Sequence, residues 1–192
     1  SLNYETKTAY AVTVSVLDST IGGSSAVTTG YSLAVTDVNE SPTAVALTNT
    51  TASLPENTST SSRIKVADIA ISDDALGTNT ISLLGADPTA FEVEGTVLYL
   101  KAGTSLNYET KTAYAVTVSV LDNTLGGSVP VTTGYSLAVT DVNEAPTAVL
   151  LTNTTASLPE NTNTSSRIKV ADIAINDDAL GTNPTPLHGA DA

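Results

Sequence analysis

A decapeptide that returns unchanged sets what this chain can fold into. Ser1-Leu2-Asn3-Tyr4-Glu5-Thr6-Lys7-Thr8-Ala9-Tyr10 recurs as residues 105–114, an offset of 104 residues. Residues 1–88 align without a gap on 105–192, with 13 differences in 88 pairs. Solenoid units are about 20–50 residues long, so a repeat of this size marks an array of self-contained modules. Two copies this alike point to a recent duplication, and their agreement does not rank residues by importance.

The joint between modules is Asp141-Val142-Asn143-Glu144-Ala145-Pro146, with its copy Asp37-Val38-Asn39-Glu40-Ser41-Pro42. Each copy follows one β-like run and precedes another. Placing module ends there predicts the C-terminal part of one module (1–42), a complete module (43–146) and the N-terminal part of a third (147–192). With 192 residues, no methionine and no charged-then-apolar leader, the chain is expected to be a piece of something longer. No apolar run approaches the roughly 18 residues that cross a bilayer.

Charge narrows the partners. The chain has 20 acidic and 7 basic residues, a net charge of −13, which repels nucleic acid and anionic membrane. It suits a hard cation or a very soluble surface. Hydrophobic residues at 41%, in regular Val, Leu and Ile runs, predict a folded chain rather than a disordered acidic one. Cysteine is absent, so no disulfide framework, thiolate site or cysteine nucleophile exists.

Within the complete module the pattern is short strands. An opening strand is expected over Ala44 to Ala52, broken by the turn Leu54-Pro55-Glu56-Asn57. Residues 63–71 alternate, with Ile64, Val66 and one of Ile69 and Ile71 inward. Short strands follow near 81–84, 91–93 and 97–100. In the clearest strand Tyr114, Val116, Val118 and Val120 share one face, and a last strand over 135–140 runs into the joint. About seven strands in roughly 100 residues, with no helical period, predict an all-β, antiparallel Greek-key β-sandwich with one wet face per sheet.

The acidic residues gather in turns: Glu56, Asp73 with Asp74, Glu109, Asp122 and the joint itself. Strand parity puts Glu56 and Glu109 at the end of the sandwich where Asp141 lies, and Asp73, Asp74 and Asp122 at the opposite end. Carboxylates brought that close repel, and a divalent cation relieves the repulsion. The competing reading is plain solvated turns, in which Asp caps its own backbone. Asp68, Glu92 and Glu94 belong to strands and read as wet-face residues, and His188 as a surface residue. An enzyme is not expected: one histidine and no cysteine leave no nucleophile–base pair, and no phosphate-cradling glycine motif appears. Aromatics at 4% also disfavour a sugar-stacking sandwich.

These motifs resemble the cadherin-like tandem repeats of bacterial surface and secreted proteins. Leu54-Pro55-Glu56-Asn57 is similar to Pro-Glu-Asn, Leu106-Asn107-Tyr108-Glu109 to Leu-Asp-Arg-Glu, and 141–146 to Asp-x-Asn-Asp-Asn-Ala-Pro. Asp73 to Asn79 is similar to Asp-x-Asp-x-Gly-x-Asn, and Val120-Leu121-Asp122 to the family's late aspartate. The resemblance runs the whole chain in order. It implies calcium between successive modules, held at one joint by Glu5, Asp37, Asn39, Glu40, Asp73, Asp74 and Asp122, with Asn79 nearby. At the other it implies Glu56, Glu109, Asp141, Asn143, Glu144, Asp177 and Asp178, with Asn183 nearby. Two departures, Ala75 after the Asp pair and Asn107-Tyr108 before Glu109, predict fewer or weaker calcium ions.

The expected function is a non-catalytic, calcium-stiffened spacer or adhesion element, extracellular or on a cell surface. Its partners would be calcium, neighbouring repeats or copies, and a cell-surface or matrix target. The alternative is a subunit of an extracellular filament, assembled by strand complementation between the partial modules.

Overall fold

The structure, a computed structural model, describes residues 1–74, 76–178 and 180–189. Among them are twelve strands: β1 (Ala9–Val16), β2 (Val27–Ala34), β3 (Ala44–Thr48), β4 (Ser53–Pro55), β5 (Ile64–Ser72), β6 (Asn79–Leu84), β7 (Phe91–Glu94), β8 (Val97–Leu100), β9 (Ala113–Asp122), β10 (Val131–Thr140), β11 (Ala148–Thr152) and β12 (Asp172–Asn176). A 3₁₀ turn covers Pro88–Ala90. No helix among the described residues is long and apolar enough to cross a membrane. The expected all-β class is what the chain adopts.

Strand order is β3-β5-β8-β7 in one four-stranded sheet and β4-β10-β9-β6 in the other, with β1-β2 and β11-β12 as separate pairs. Pairing is antiparallel within β1-β2, β3-β5, β6-β9, β7-β8 and β11-β12. β4 runs parallel to β10, with Leu54 opposite Val139.

The chain divides into two units. The first, Ser1–Thr50 with Lys65–Leu100 and Ala115–Tyr135, holds the larger core. Val66, Ala67, Ile69, Phe91, Leu98, Leu100, Val116, Val118, Val120 and Tyr135 are all buried there. Phe91 and Tyr135 stack edge to face, 5.8 Å between centroids, a favoured aromatic geometry. The second unit, Thr51–Ile64 with Lys101–Tyr114 and Ser136 onward, buries Leu137, Val139 and Glu56.

The opening strand departs from its expected course. It stops at Thr48 rather than running to Ala52, and the break falls before Leu54. Asn49 takes a left-handed backbone (φ 49°), and its amide donates to Asp68 at 2.8 Å. Asparagine tolerates that conformation better than any β-branched neighbour. The chain leaves β3, crosses four residues, and Ser53–Pro55 joins the other sheet as β4. In β5 the inward phase slips by one residue: Val66 and Ala67 are both buried, then Ile69. Ile64 and Ile71 are half-buried.

Candidate metal centre

Strand ends bring the acidic turns together. Because β4 is parallel to β10, Glu56 just after β4 and Asp141 just after β10 emerge side by side, with Glu56 N–H donating to Thr140 C=O at 3.0 Å. Val139 N–H donates to Thr112 C=O at 2.8 Å, which sets the turn before β9, and so Glu109, at the same place. The outcome is a cluster of Glu56, Glu109, Asp141 and Glu144 with one carboxylate oxygen from each within 4.8 Å of the others.

Glu56 is buried and organises the cluster. Its Oε2 accepts from Tyr108 N–H and its Oε1 from Val142 N–H, both at 2.8 Å. These two backbone donors hold the Glu56 carboxyl below its ordinary range despite burial. Its neighbours move the other way. Burial and the charges of Glu56 and Asp178 raise Asp141. Burial first, then its contact with Asp178 and the charges of Glu56 and Glu109, push Glu144 up to about 7.

Asp177 and Asp178 follow β12. Asp178 Oδ2 accepts from Glu144 N–H at 2.7 Å and its Oδ1 from Leu180 N–H at 2.8 Å, which lowers its pKa. Asn183 donates to Asp177 Oδ2 at 2.6 Å. Asn107, Glu109, Glu144, Asp177 and Asp178 line one cleft. Asn143 lies at Gly181 (φ 74°), where a Cβ would run into Asn143 Oδ1.

The first joint repeats this plan. Val35 N–H donates to Thr8 C=O at 2.8 Å, bringing the turn before β1 beside the end of β2. Glu5, Asp37 and Glu40 have carboxylate oxygens within 4.8 Å of one another. Glu5 and Glu40 share a cleft with Asp73 and Asp74, since Thr43 N–H donates to Ser72 C=O at 2.8 Å. Asp74 Oδ2 accepts from Glu40 N–H at 2.7 Å, which lowers Asp74. Contact with the Asp74 carboxyl, then burial, raises Glu40. Burial raises Asp37.

Asn79 at the start of β6 pairs with Asp122 at the end of β9. Asp122 is fully buried and its Oδ1 accepts from Thr124 Oγ1 at 2.6 Å and Thr124 N–H at 2.8 Å. Those bonds pull its pKa down to about 2. Asn39 donates to Thr124 at 3.3 Å, and Gly77 (φ 73°) faces both Asp122 Oδ2 and Asn39 Oδ1. Ala75, expected to interrupt the ligand pattern, lies outside the described residues.

One further property unites these residues. The buried, acceptor-only oxygens Asn39 Oδ1, Asp73 Oδ1, Asn79 Oδ1, Asp122 Oδ2, Asp141 Oδ1 and Asp177 Oδ1 have no hydrogen-bond partner. Buried polar atoms are ordinarily satisfied, and an orphan demands a reason. Each belongs to the residues brought together at the two joints, and an all-oxygen donor set fits calcium, which takes about 6–8 oxygens.

Sequence reasoning missed Thr124, and it took Gly77 and its copy Gly181 only as turn residues of the loop motif. Thr124 had a readable signal, the Asp-x-Thr turn that recurs as Asp18 with Thr20, where Thr20 N–H donates to Asp18 at 2.9 Å. The glycines had one in their Asp-Asp-Ala-Leu-Gly context, although the clash at each depends on residues far along the chain. Asn107, counted as a lost anion, caps its turn by accepting from Thr110 N–H at 2.7 Å.

No family model matches the chain. Its fold is similar to solved cadherin extracellular domains. It matches protocadherin gamma B2 extracellular cadherin domains 1–5 at TM-score 0.67 and 20% identity, over 92% of this chain and 33% of that one. Protocadherin gamma B7 domains 1–4 match at TM-score 0.66 and 19% identity, over 98% and 48%. The gamma B7 domain 3–6 cis-dimer structure matches at 0.64 and 23%, over 93% and 43%. This chain therefore spans a third to about half the length of those structures, and the likeness is one of fold.

Proposed function

We propose that this chain is a non-catalytic, calcium-binding segment of a longer extracellular bacterial surface or secreted protein, built of modules that end at 42 and 146. It acts as a spacer or adhesion element. The observation that carries the reading is the set of buried, unpartnered acceptor oxygens at both acidic joints. An Asp or Asn oxygen buried with no donor is costly in water-free surroundings, and a cation would relieve that cost.

At the second joint Glu56, Glu109, Asp141 and Glu144 would hold one calcium ion, and Asn143, Asp177 and Asp178 would extend the set. At the first, Glu5, Asp37 and Glu40 would hold one, with Asn39, Asp73, Asp74 and Asp122 around it. Calcium would supply positive charge there. The chain's own contribution is positioning: Glu56 pins the turns that carry Glu109 and Asp141, and Asp74 and Asp178 pin the joints through Glu40 and Glu144 N–H.

Isothermal titration with calcium after chelation tests this. Saturable binding at micromolar to millimolar calcium, lost on replacing Glu56 and Asp141 for the second joint, is expected. Absence of binding in millimolar calcium would leave the acidic turns as solvated loops.

A further inference from the structure

Two oxygens of the first joint are aimed by a single hydroxyl. Asp122 is fully buried, and its two carboxylate oxygens have unlike surroundings. Oδ1 accepts from Thr124 Oγ1 at 2.6 Å, from Thr124 N–H at 2.8 Å and from Thr78 N–H at 3.3 Å. Oδ2 has no hydrogen-bond partner. Three donors on one oxygen hold the carboxylate in place and leave the other oxygen bare.

The Thr124 hydroxyl also accepts from Asn39 Nδ2 at 3.3 Å. A hydroxyl has one proton to give and two lone pairs to receive with, so donating to Asp122 leaves it an acceptor for Asn39. With Nδ2 engaged there, Asn39 Oδ1 is turned away, buried and without a donor. The two bare oxygens converge on Gly77: a Cβ built there would run into Asp122 Oδ2 and lie 2.6 Å from Asn39 Oδ1 and 2.8 Å from Thr124 Oγ1. Two acceptors facing one point with no donor between them are unfavourable alone and suited to a hard cation. Turning the Asn39 amide over would put its NH₂ on that side, which relieves the pair without an ion but aims a donor where a cation would sit.

Local sequence builds this latch. The same Asp-x-Thr turn forms at Asp18, where Thr20 Oγ1 donates at 2.6 Å and Thr20 N–H at 2.9 Å. Branching at Cβ also restricts the threonine χ1, so the hydroxyl is held ready.

We propose that Thr124 is a positioning residue of the first joint, its hydroxyl fixing at once which oxygen of Asp122 and which side of the Asn39 amide face the cation. The inference rests on the calcium reading of that joint and adds the residue that orients it.

Amide NMR of the full chain, titrated with calcium after chelation, tests it. Gly77 reports the first joint and Gly181, which lies at Asn143 Oδ1, reports the second in the same sample. Thr124→Val keeps the side-chain shape and removes both hydroxyl bonds, so the Gly77 midpoint should move to about 10- to 100-fold higher calcium, with Gly181 unmoved. Thr124→Ser restores the hydroxyl and should bring the midpoint back. A Gly77 midpoint that Thr124→Val leaves unchanged overturns the proposal, and so does a serine variant that behaves like the valine one. If neither glycine responds to calcium in the unsubstituted chain, the calcium reading itself fails and the proposal with it. Thr124 is exposed, which favours folding of the variants. Their amide spectra in chelator check that, and Thr124→Ala, which adds no bulk, asks the same question if valine disturbs the loop.

Discussion

At the scale of residues, the second joint is ruled by one buried carboxylate. Glu56 accepts from two backbone N–H groups that belong to the turns bearing Glu109 and Asp141. Replacing it with glutamine removes a charge and turns an NH₂ toward a backbone donor, so calcium affinity at this joint should fall by about 10- to 100-fold. Glu92→Gln, on a strand away from the cluster, should leave the titration unchanged. Glu144 gives a pH signature. Its folded pKa of about 7 lies above the ordinary 4.5, so folding favours the protonated form. That contribution is complete below about 4.5 and is lost as pH rises through about 7. In chelator the melting temperature should therefore fall between those limits, and calcium should abolish the fall while releasing protons on binding. A flat or rising melting temperature in chelator would contradict it. Asp122, held at about 2 against an ordinary 3.8, has the opposite sign: its contribution is present above 3.8 and lost as pH falls through about 2. Gly77 is constrained both by its own backbone and by side chains distant in sequence. Its φ of 73° costs an alanine about 1–2 kcal/mol, and the new Cβ would meet Asn39 Oδ1 at 2.6 Å. Gly77→Ala should weaken the first calcium site and leave the second as it was.

Among elements, the repeat offers a matched experiment. Leu137 in β10 is fully buried, while its copy Leu33 in β2 is 46% exposed. Leu137→Ala should cost about 2–5 kcal/mol by cavity formation. The identical change at Leu33 should cost less than about 0.5 kcal/mol as a surface substitution. Denaturant melts of the two variants check this, and equal losses would place both strands in equivalent cores. The same comparison explains which strands form. Ser53-Leu54-Pro55 is a strand because β10 lies alongside to pair with it; Ser157-Leu158-Pro159 has the same sequence and is not a strand. Ile64 to Ala67 extend β5, whose neighbour is β8, whereas 168–171 lie outside β12. Periodicity located β5, β8, β9 and the end of β10, because alternating burial writes itself into sequence. It missed the break at Asn49, because a left-handed turn that shifts a strand between sheets leaves the apolar pattern on both sides intact.

For the whole molecule, a net charge of −13 concentrated at the joints makes the folded state electrostatically strained without a counter-ion. Millimolar calcium should raise the melting temperature by several degrees or more, since a ligand bound to the native state alone stabilises it by mass action. Small-angle scattering should show a narrower range of particle dimensions than in chelator. Sodium chloride at equal ionic strength should reproduce little of either effect, because screening does not supply coordination. Equal responses to both salts would refute site binding.

The sequence alone determined the repeat, the all-β class and the identity of every acidic residue at the joints, because patterning and composition are local properties. It brought Glu56, Glu109 and Asp141 to one end through strand parity. Only the tertiary structure decided that Glu56 points its oxygens at Tyr108 and Val142, that Asp122 Oδ2 and Asn39 Oδ1 converge on Gly77, and that Val118 is buried where Val14 is bare. Identical residues differ there because burial and pairing belong to the neighbour across the sheet, and a strand carries no record of whether that neighbour is present.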